Sequence, residues 1–333
     1  MKKEIGGKMR LKVLLIILGV VVIAFGIVFY FYGPYSEAAR GGIKGKPKKT
    51  PTPTQTSTSS PSLQPSSGPT GDLGILYGVT VDDVSGINQT IEAINRLPQK
   101  MTVRIVFDRG MSPSDYQSDV DKIDAIAFTM GEPVDSSDMR RYSVDQYRSR
   151  FDEYVKGLGD KIDIWEVGNE VNGEWLGSSS DTSAKISAGY DVVKAAGKKS
   201  ALTLHFNEGE DCPTYPEFEM YSWINTYVPD KMKQGLDYVF FSYYPENCPE
   251  ISPDWNAEFN KTGQIFSNSK LGYGEIGING GTDAQKAALV NEFYKKQISH
   301  ARYVKGVFWW YFKEEMVPYT NYLWGVLNTA INT

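Results

Sequence analysis

Eight short apolar runs alternate with helix-like stretches between residues 73 and 333, and this rhythm limits the folds open to the chain. The runs are ILYGVTV (75–81), TVRIVF (102–107), AIAFTM (125–130), IDIWEVG (162–168), ALTLHF (201–206), DYVFFSY (237–243), KLGYGEIGI (270–278) and KGVFWWYF (305–312). Their length and their β-branched and aromatic content are typical of strands. Between them, apolar residues recur at helical spacing, as at Tyr147, Phe151, Tyr154 and Leu158. Strict alternation of this kind predicts a parallel sheet.

The number of units favours a closed barrel over an open doubly wound sheet. Residues 72–333 have roughly the 250-residue length of one (β/α)8 barrel. The sequence contains no GxGxxG or GxxxxGK[ST] phosphate loop of the kind that open sheets carry. We therefore predict an α/β fold, a (β/α)8 TIM barrel, over residues 72–333.

The N-terminal part has a different character. After a short basic segment, residues 1–12, residues 13–32 run without a charge, and at about 1.5 Å per residue they are long enough to cross a membrane. We predict a transmembrane anchor. The alternative is a cleaved signal peptide, whose apolar region is usually shorter. Five basic residues flank the span on either side, so the positive-inside rule does not set its orientation.

Residues 33–71 form a predicted linker. From position 46 onward this segment is rich in Pro, Ser and Thr, with Leu63 as its one aliphatic residue. A segment of this composition buries no core and stays solvated, which suits a spacer between an anchor and a folded domain.

Charge and cysteine content limit the partners. The formal net charge is −5 and the dense basic clusters all precede residue 50, which argues against a nucleic-acid partner. No CxxC or Cys/His cluster has metal-ligand spacing, so we expect neither a metal nor an organic cofactor. Cys212 and Cys248 are the only cysteines, and they follow the fifth and sixth predicted strands. We predict a disulfide between these two loops, formed in an oxidising compartment, with two unpaired thiols as the alternative.

Acidic residues at strand ends are the first candidates for chemistry, because these ends converge on one mouth of a barrel. The fourth run leads into WEVGNE, which ends at Glu170, and the seventh contains Glu275 in YGEIG. Two carboxyls that flank one bond meet the requirement for glycosidic cleavage: one protonates the leaving oxygen and the other attacks the anomeric carbon. A retaining enzyme holds them about 5–5.5 Å apart.

These motifs resemble glycoside hydrolase clan A, the retaining barrels that include family 5. The resemblance covers the whole barrel domain. WEVGNE is similar to the clan's WEVWNEP, with Gly168 in place of Trp and Val171 in place of Pro. The resemblance implies that Glu170 is the acid/base, that Glu275 is the nucleophile, and that Asn169 hydrogen-bonds the sugar 2-hydroxyl.

Two further residues fit the same resemblance. Arg104 looks like the strand-two Arg of family 5, which helps to keep the nucleophile ionised. A buried ion pair between Arg104 and Glu166 is the alternative. Tyr244 matches the strand-six Tyr that donates a hydrogen bond to the nucleophile, although Ser242 stands where the clan has His.

Aromatic residues and a histidine complete the candidate site. Trp309 and Trp310 end the eighth run, where the clan places a sugar-platform Trp, and the sequence does not show which of them faces inward. His205 is predicted either to donate a hydrogen bond to substrate or to be a satisfied core residue. Trp175 either stacks on a leaving-group sugar or packs locally.

Local similarity is greatest to the family 53 endo-β-1,4-galactanases, through VGNE ending at Glu170, His205 and the SYYP that contains Tyr244. The seventh and eighth runs depart from that family, so we name no sugar. Four carboxylates form an acidic loop cluster, for which solvated charge is favoured over a calcium site. They are Glu208, Glu210, Asp211 and Glu246.

The sequence thus predicts a single-pass membrane protein with a monomeric, extracytoplasmic O-glycosyl hydrolase domain. It would cleave β-linked poly- or oligosaccharides by double displacement, with Glu170 kept protonated and Glu275 ionised. Two alternatives remain. One is an inactive carbohydrate-binding barrel that serves as a surface lectin or wall-attachment module. The other is a transglycosylase, which uses the same residues but passes the sugar to another sugar instead of water.

Overall fold

A computed structural model describes residues 73–208, 212–213 and 215–332. The predicted basic segment 1–12, transmembrane anchor 13–32 and linker 33–71 lie outside these residues. Across the described ranges, no helix combines the length and apolar character needed to cross a membrane.

Eight parallel strands close into a barrel in sequence order, with β8 paired to β1. This confirms the predicted (β/α)8 architecture. The strands are β1 (Leu76–Val81), β2 (Met101–Val106), β3 (Phe128–Glu132), β4 (Ile164–Glu166), β5 (Lys199–His205), β6 (Tyr238–Tyr243), β7 (Lys270–Ile276) and β8 (Tyr303–Trp309).

Helices follow the strands and cover the outside of the barrel. Those described are α1 (Ile87–Asn95), α2 (Pro113–Asp124), α3 (Val144–Leu158), α4 (Ser179–Ala195), α5 (Met220–Tyr227), α6 (Asp230–Gly235), α7 (Trp255–Ile265), α8 (Asp283–Lys295), α9 (Phe312–Met316) and α10 (Tyr322–Ala330). Short 3-10 turns lie at Ser136–Arg141, Glu174–Leu176 and Pro216–Phe218.

Helix α3 shows how local sequence fixes an element. It begins at a capping box in which Ser143 and Gln146 each accept a hydrogen bond from the other's backbone amide. Its predicted apolar positions, among them Tyr147, Phe151 and Tyr154, are all buried against the sheet. Because these side chains recur every three to four residues, one face of the helix enters the core.

The barrel interior has two layers, because alternate strand residues point inward. The lower layer is an apolar cluster of Leu76, Met130, Ile164, Ala201, Tyr238, Phe240, Val304 and Phe308. One step nearer the carboxyl ends, the inward residues become polar and remain buried: Arg104, Glu132, Glu166, Thr203 and Ser242. The polar layer is the floor of the candidate site.

One predicted strand was wrong in its position. The third run was expected at 125–130, but β3 spans Phe128–Glu132. Ala125 and Ala127 lie in the turn that follows α2, where their amides donate to the carbonyl oxygens of Asp121 and Ile123 at the end of the helix. Short apolar residues occur both at the ends of helices and at the starts of strands, so the apolar pattern did not distinguish the end of α2 from the start of β3.

Candidate active site

Arg104 lies at the centre of the polar layer and contacts three carboxylates. Its Nε donates to Oε2 of Glu166 at 2.7 Å, Nη1 donates to Oε2 of Glu275 at 3.0 Å, and Nη2 lies 2.9 Å from Oε2 of Glu132. Burial alone would lower the pKa of the guanidinium, but the three carboxylates raise it well above its usual range. Arg104 therefore forms the ion pair with Glu166 and also contacts Glu275, and its role in keeping a nucleophile ionised stays a prediction.

Sequence reasoning missed Glu132. The strand prediction ended at Met130, so this carboxyl was not placed at a strand end. Its side chain is fully buried, and among the described residues neither oxygen has a hydrogen bond of good geometry in addition to the ion pair with Arg104. Burial raises the pKa of Glu132 well above its usual range, and Arg104 only partly opposes that rise. Glu166, by contrast, also accepts a hydrogen bond from the hydroxyl of Thr203.

Glu275 is bound on both oxygens. The hydroxyl of Tyr244 donates to Oε1 at 2.7 Å. Oε2, which Arg104 contacts, also accepts a hydrogen bond from Nδ2 of Asn169 at 3.4 Å. The pKa of the Tyr244 phenol is raised by burial and by the charge of Glu275, so this phenol keeps its proton and remains a donor. The structure thus brings together Arg104, Asn169, Tyr244 and Glu275. The contacts of Arg104 and Tyr244 with Glu275 are those that the resemblance implied, whereas the contact of Asn169 with Glu275 was not predicted.

Glu170 lies in a separate cradle of three side chains. Ser242 donates to Oε1 at 2.7 Å, Ser136 donates to Oε2 at 3.0 Å, and Nδ1 of His205 lies 3.3 Å from Oε1. His205 therefore contacts the predicted acid/base directly, which neither sequence-based interpretation of this residue included. Ser136 was also missed, because a serine in the turn after β3 carries no pattern that marks it.

The backbone at the candidate acid/base is unusual. Glu170 has φ 47°, in the left-handed region that residues other than glycine rarely adopt. The preceding side chain, Asn169, has a buried Oδ1 without a hydrogen-bond partner among the described residues. Observed strain of this kind is characteristic of functional sites. An unpartnered acceptor beside it leaves one hydrogen bond open to a ligand hydroxyl.

The pKa values of the two glutamates shift in opposite directions. Burial, followed by the charge of Glu170, raises the pKa of Glu275 to about 8 against the opposing effects of Arg104 and Tyr244. Burial also raises the pKa of Glu170, but the hydrogen bonds and charge of its cradle outweigh it and lower the pKa overall. Glu275 shares the charge of Arg104 with two other carboxylates, whereas Glu170 has three donors to itself. That Glu170 is protonated in the reactive form stays a prediction.

The two tryptophans at the end of β8 face opposite ways. Trp309 is fully buried on the outer side of the sheet, where its Nε1 donates to Oε2 of Glu315 at 3.0 Å. Trp310 turns inward, and its ring centroid lies 5.4 Å from Cζ of Arg104. Strand alternation accounts for both orientations, since Phe308 belongs to the inner apolar layer. Trp310 is therefore the candidate sugar platform.

A pocket of about 240 Å³ opens beside His205. Trp175 lines it, 40% exposed, and packs edge to face on the imidazole with ring centroids 5.1 Å apart. Cys212 lines it as well, through a disulfide to Cys248 that confirms the predicted pairing. Trp175 thus packs locally and also presents an open face, so the two interpretations of this residue are compatible.

The structure describes two of the four carboxylates of the acidic loop cluster, Glu208 and Glu246. Glu208 pairs with Lys261 at 2.6 Å, and Glu246 accepts a hydrogen bond from the amide of Asn279. Glu210 and Asp211 lie outside the described residues. Within the described part of the chain, no group of His, Cys, Asp and Glu side chains is arranged to hold a metal ion.

Comparison with known proteins gives a match at the level of structure. No protein-family model and no curated protein matches the chain. A structure of Saccharomyces cerevisiae Gas2p in complex with laminaritriose and laminaritetraose is similar to it, with a TM-score of 0.50 and 12% identity. The match covers 79% of this chain and 65% of the Gas2p chain. The two proteins share the barrel fold.

A family 1 β-glucosidase from Thermotoga maritima, in complex with isofagomine lactam, is a second structural neighbour. Its TM-score is 0.48 at 12% identity, and the match covers 72% of this chain and 89% of the glucosidase. Gas2p is a (β/α)8 barrel of clan A, the group that the strand-four and strand-seven motifs resemble. The similarity to Gas2p confirms that resemblance for the fold alone. The present chain spans about two thirds of the Gas2p chain, 65% of its length.

Proposed function

We propose that the protein is a retaining glycoside hydrolase that cleaves β-linked poly- or oligosaccharides. The observation that carries the proposal is the pairing of two differently held carboxyls at the mouth of the barrel. Glu275 is bound by Arg104 and Tyr244, and Glu170 lies in a cradle of hydroxyls and an imidazole. One carboxyl is thereby oriented for attack and the other for proton exchange.

The proposed reaction has two displacements. In the first, an oxygen of Glu275 bonds to the anomeric carbon, the glycosidic C–O bond breaks, and the leaving oxygen takes a proton from Glu170. In the second, Glu170 takes a proton from water, the water oxygen bonds to the anomeric carbon, and the ester bond to Glu275 breaks. Each group ends in the protonation state in which it began.

The contacts of Glu275 suit this scheme. The first displacement needs one proton at Glu170 and an ionised Glu275. Tyr244 and Arg104 both stabilise the ionised carboxylate of Glu275.

The surroundings support a carbohydrate ligand. Trp310 presents an aromatic face above Arg104, and such faces pack well on sugar rings. The unpartnered Oδ1 of Asn169 is free to accept a hydrogen bond from a sugar hydroxyl. On the far side of Glu170, Trp175 lines a pocket suited to the leaving-group sugar. The oligosaccharides in the Gas2p structure support the same ligand class.

We further propose an extracytoplasmic domain tethered to the cell membrane through residues 13–32 and active as a monomer. The Cys212–Cys248 disulfide supports this placement, because disulfides persist in oxidising compartments. The 20-residue apolar run supplies the anchor in this proposal.

The test is covalent labelling of the full-length protein with a panel of 2-deoxy-2-fluoro glycosyl fluorides, followed by mass spectrometry. These reagents accumulate the glycosyl-enzyme ester of a retaining enzyme. We expect one adduct on Glu275 and none in Glu275→Gln. Because fluoride leaves without a proton, Glu170→Gln should still be labelled. Saturable glycan binding by the wild type, with neither adduct nor hydrolysis, would instead support the inactive binding barrel.

The pocket beside His205 also favours a second candidate, transglycosylation. A sugar bound there lies next to Glu170, the group that would activate its hydroxyl for the second displacement. Product analysis separates the two reactions. A hydrolase releases only shorter chains, whereas a transglycosylase also forms chains longer than the starting oligosaccharide.

A further inference from the structure

The contact between His205 and Glu170 raises a question about where the acidic proton is stored. Three donors surround Glu170, and together they favour its carboxylate form. A general acid must nevertheless deliver a proton. Of the three donors, only His205 has a side chain that serves as both an acid and a base in general acid–base chemistry. The serine hydroxyls of Ser136 and Ser242 cannot do so.

We infer that His205 and Glu170 act as a dyad in which the imidazole stores the proton that Glu170 passes to the leaving oxygen. The inference rests on the proposed function and assigns a proton-relay role within the same site. Its basis is geometric: Nδ1 of His205 lies 3.3 Å from Oε1 of Glu170, and both residues are buried.

The rest of the ring is positioned for proton exchange with solvent. Among the described residues, only Nδ1 of the two ring nitrogens has a hydrogen-bond partner, and the ring lines the 240 Å³ pocket. Trp175 packs edge to face against the imidazole, and the backbone amide of His205 donates to Oδ1 of Asn172 at 2.8 Å, which holds the main chain beside it.

The charged groups that face the ring are few. Glu170 approaches from the loop after β4, and Glu174 lines the same pocket from the following 3-10 turn. The remaining neighbours described here do not titrate near neutral pH: Asn207, Asn247, Ser242, Trp175 and the disulfide-bonded Cys212. Glu170 is thus the principal group to which the proton can pass.

The proton balance in each displacement is closed. In the first, the N–H bond at Nδ1 breaks, the proton moves to Glu170 and then to the leaving oxygen, and the imidazole becomes neutral. In the second, a water proton moves to Glu170 and returns to Nδ1 as the water oxygen bonds to the anomeric carbon. No other reactant is needed.

The first test does not depend on turnover. The chain has only two histidines, so full-length protein labelled with 15N-histidine gives two titrating imidazoles, from His205 and His300. If the dyad holds a shared proton, Glu170→Gln removes the charge that stabilises the imidazolium and lowers the titration midpoint of His205 by about one pH unit or more. The His300 midpoint should not move. An unchanged His205 midpoint in Glu170→Gln would overturn the inference.

Ser242→Ala is the matched control, because it removes an uncharged donor from the same oxygen, Oε1. It should shift the His205 midpoint by much less than Glu170→Gln does. An equal shift in both variants would mean that the midpoint follows the packing of the cradle and not a shared proton. That result would also overturn the inference.

The second test is kinetic and uses His205→Asn, which keeps a neutral donor but cannot store a proton. With alkyl glycosides of the sugar that labels Glu275, kcat/KM should fall about 10- to 100-fold, which is part of the usual rate enhancement by a general acid. With the 2,4-dinitrophenyl glycoside, whose leaving group needs no proton, kcat/KM should stay within about twofold. Equal losses on both substrates would indicate a structural role for His205. Absence of any labelling of wild-type Glu275 would instead count against the proposed function and leave the titration test to decide on the dyad.

Discussion

Arg104 and Glu275 are in direct contact, Nη1 to Oε2 at 3.0 Å, although 171 positions separate them in the sequence. The same guanidinium contacts Glu132 and Glu166, so one cation faces three carboxylates inside the barrel. A buried cation with this many partners is both a structural and a functional element. Removing it leaves like charges facing one another in a medium that solvates them poorly.

We expect Arg104→Met to lower the free energy of unfolding by about 3–5 kcal/mol at pH 7, the usual cost of breaking a buried ion pair by removing one partner. Chemical denaturation at pH 7 measures the difference. Arg96→Met is the control, because Arg96 forms an exposed pair with Glu92 and its loss should change stability by less than about 0.5 kcal/mol. A similar small change in Arg104→Met would show that the network does not stabilise the fold.

Glu132 predicts a pH dependence of stability. Its pKa in the folded protein is raised above the ordinary value of 4.5, so the folded state binds more protons than the unfolded state above that pH. The contribution of Glu132 to the free energy of unfolding therefore decreases as the pH rises. Glu132→Gln removes this penalty while the amide oxygen can still meet Arg104.

The unfolding free energy of Glu132→Gln should thus exceed that of the wild type by an amount that grows as the pH rises from 4.5 towards neutrality. Denaturation curves at several pH values give this difference. Glu92→Gln serves as an exposed control and should show no such trend. A constant gap between Glu132→Gln and wild type would mean that Glu132 is ionised throughout.

The labelling reaction tests the charge coupling between Glu170 and Glu275. Attack requires ionised Glu275, whose pKa is raised to about 8, in part by the charge of Glu170. The rate of labelling should therefore increase with pH, with its midpoint near that value in the wild type. In Glu170→Gln the midpoint should move to lower pH, because the repelling charge is gone.

Ser136→Ala keeps the charge on Glu170 and removes one neutral donor to it, so its labelling midpoint should remain close to that of the wild type. Time courses of adduct mass at each pH measure both variants. If Glu170→Gln labels with the wild-type pH dependence, the two carboxyls are not coupled.

The backbone at position 170 predicts a trade between stability and function. A residue with a Cβ is disfavoured at φ 47° by about 1–2 kcal/mol, and glycine is not. Glu170→Gly should therefore unfold with a free energy about 1 kcal/mol higher than Glu170→Ala, which also lacks the carboxyl. Thermal and chemical denaturation of the two variants make the comparison. Equal stability would show that the left-handed conformation carries no cost here.

The barrel could be predicted from the sequence because its signal is repeated. A strand-like apolar run followed by a helix-like stretch recurs along the domain, so a shift of three residues in the start of β3 left the count of units unchanged. Glu170 and Glu275 could be predicted for a related reason, since acidic residues at strand ends converge wherever parallel strands close. The sequence did not show which of Trp309 and Trp310 faces inward, and the strand register in the structure decided it.

The rest depends on distances that no local pattern encodes. Glu132 was missed because its strand was placed too early, and Ser136 because one serine in a turn resembles any other. The opposite pKa shifts of Glu170 and Glu275 could not be predicted, because they depend on burial and on how Arg104 shares its charge among the carboxylates around it. The number of carboxylates that share the charge of Arg104 is known only when the positions of all of them are known.

The Arg104 network also has a consequence for the newly made chain. Its four members come from β2, β3, β4 and β7, and β7 leaves the ribosome more than a hundred residues after β4. Until β7 docks, the guanidinium has only its first two acidic partners, and Glu275 is absent from the site. Under the proposed reaction, catalytic competence therefore arises late and all at once, and we expect a truncated chain that stops short of β7 to be inert towards glycans.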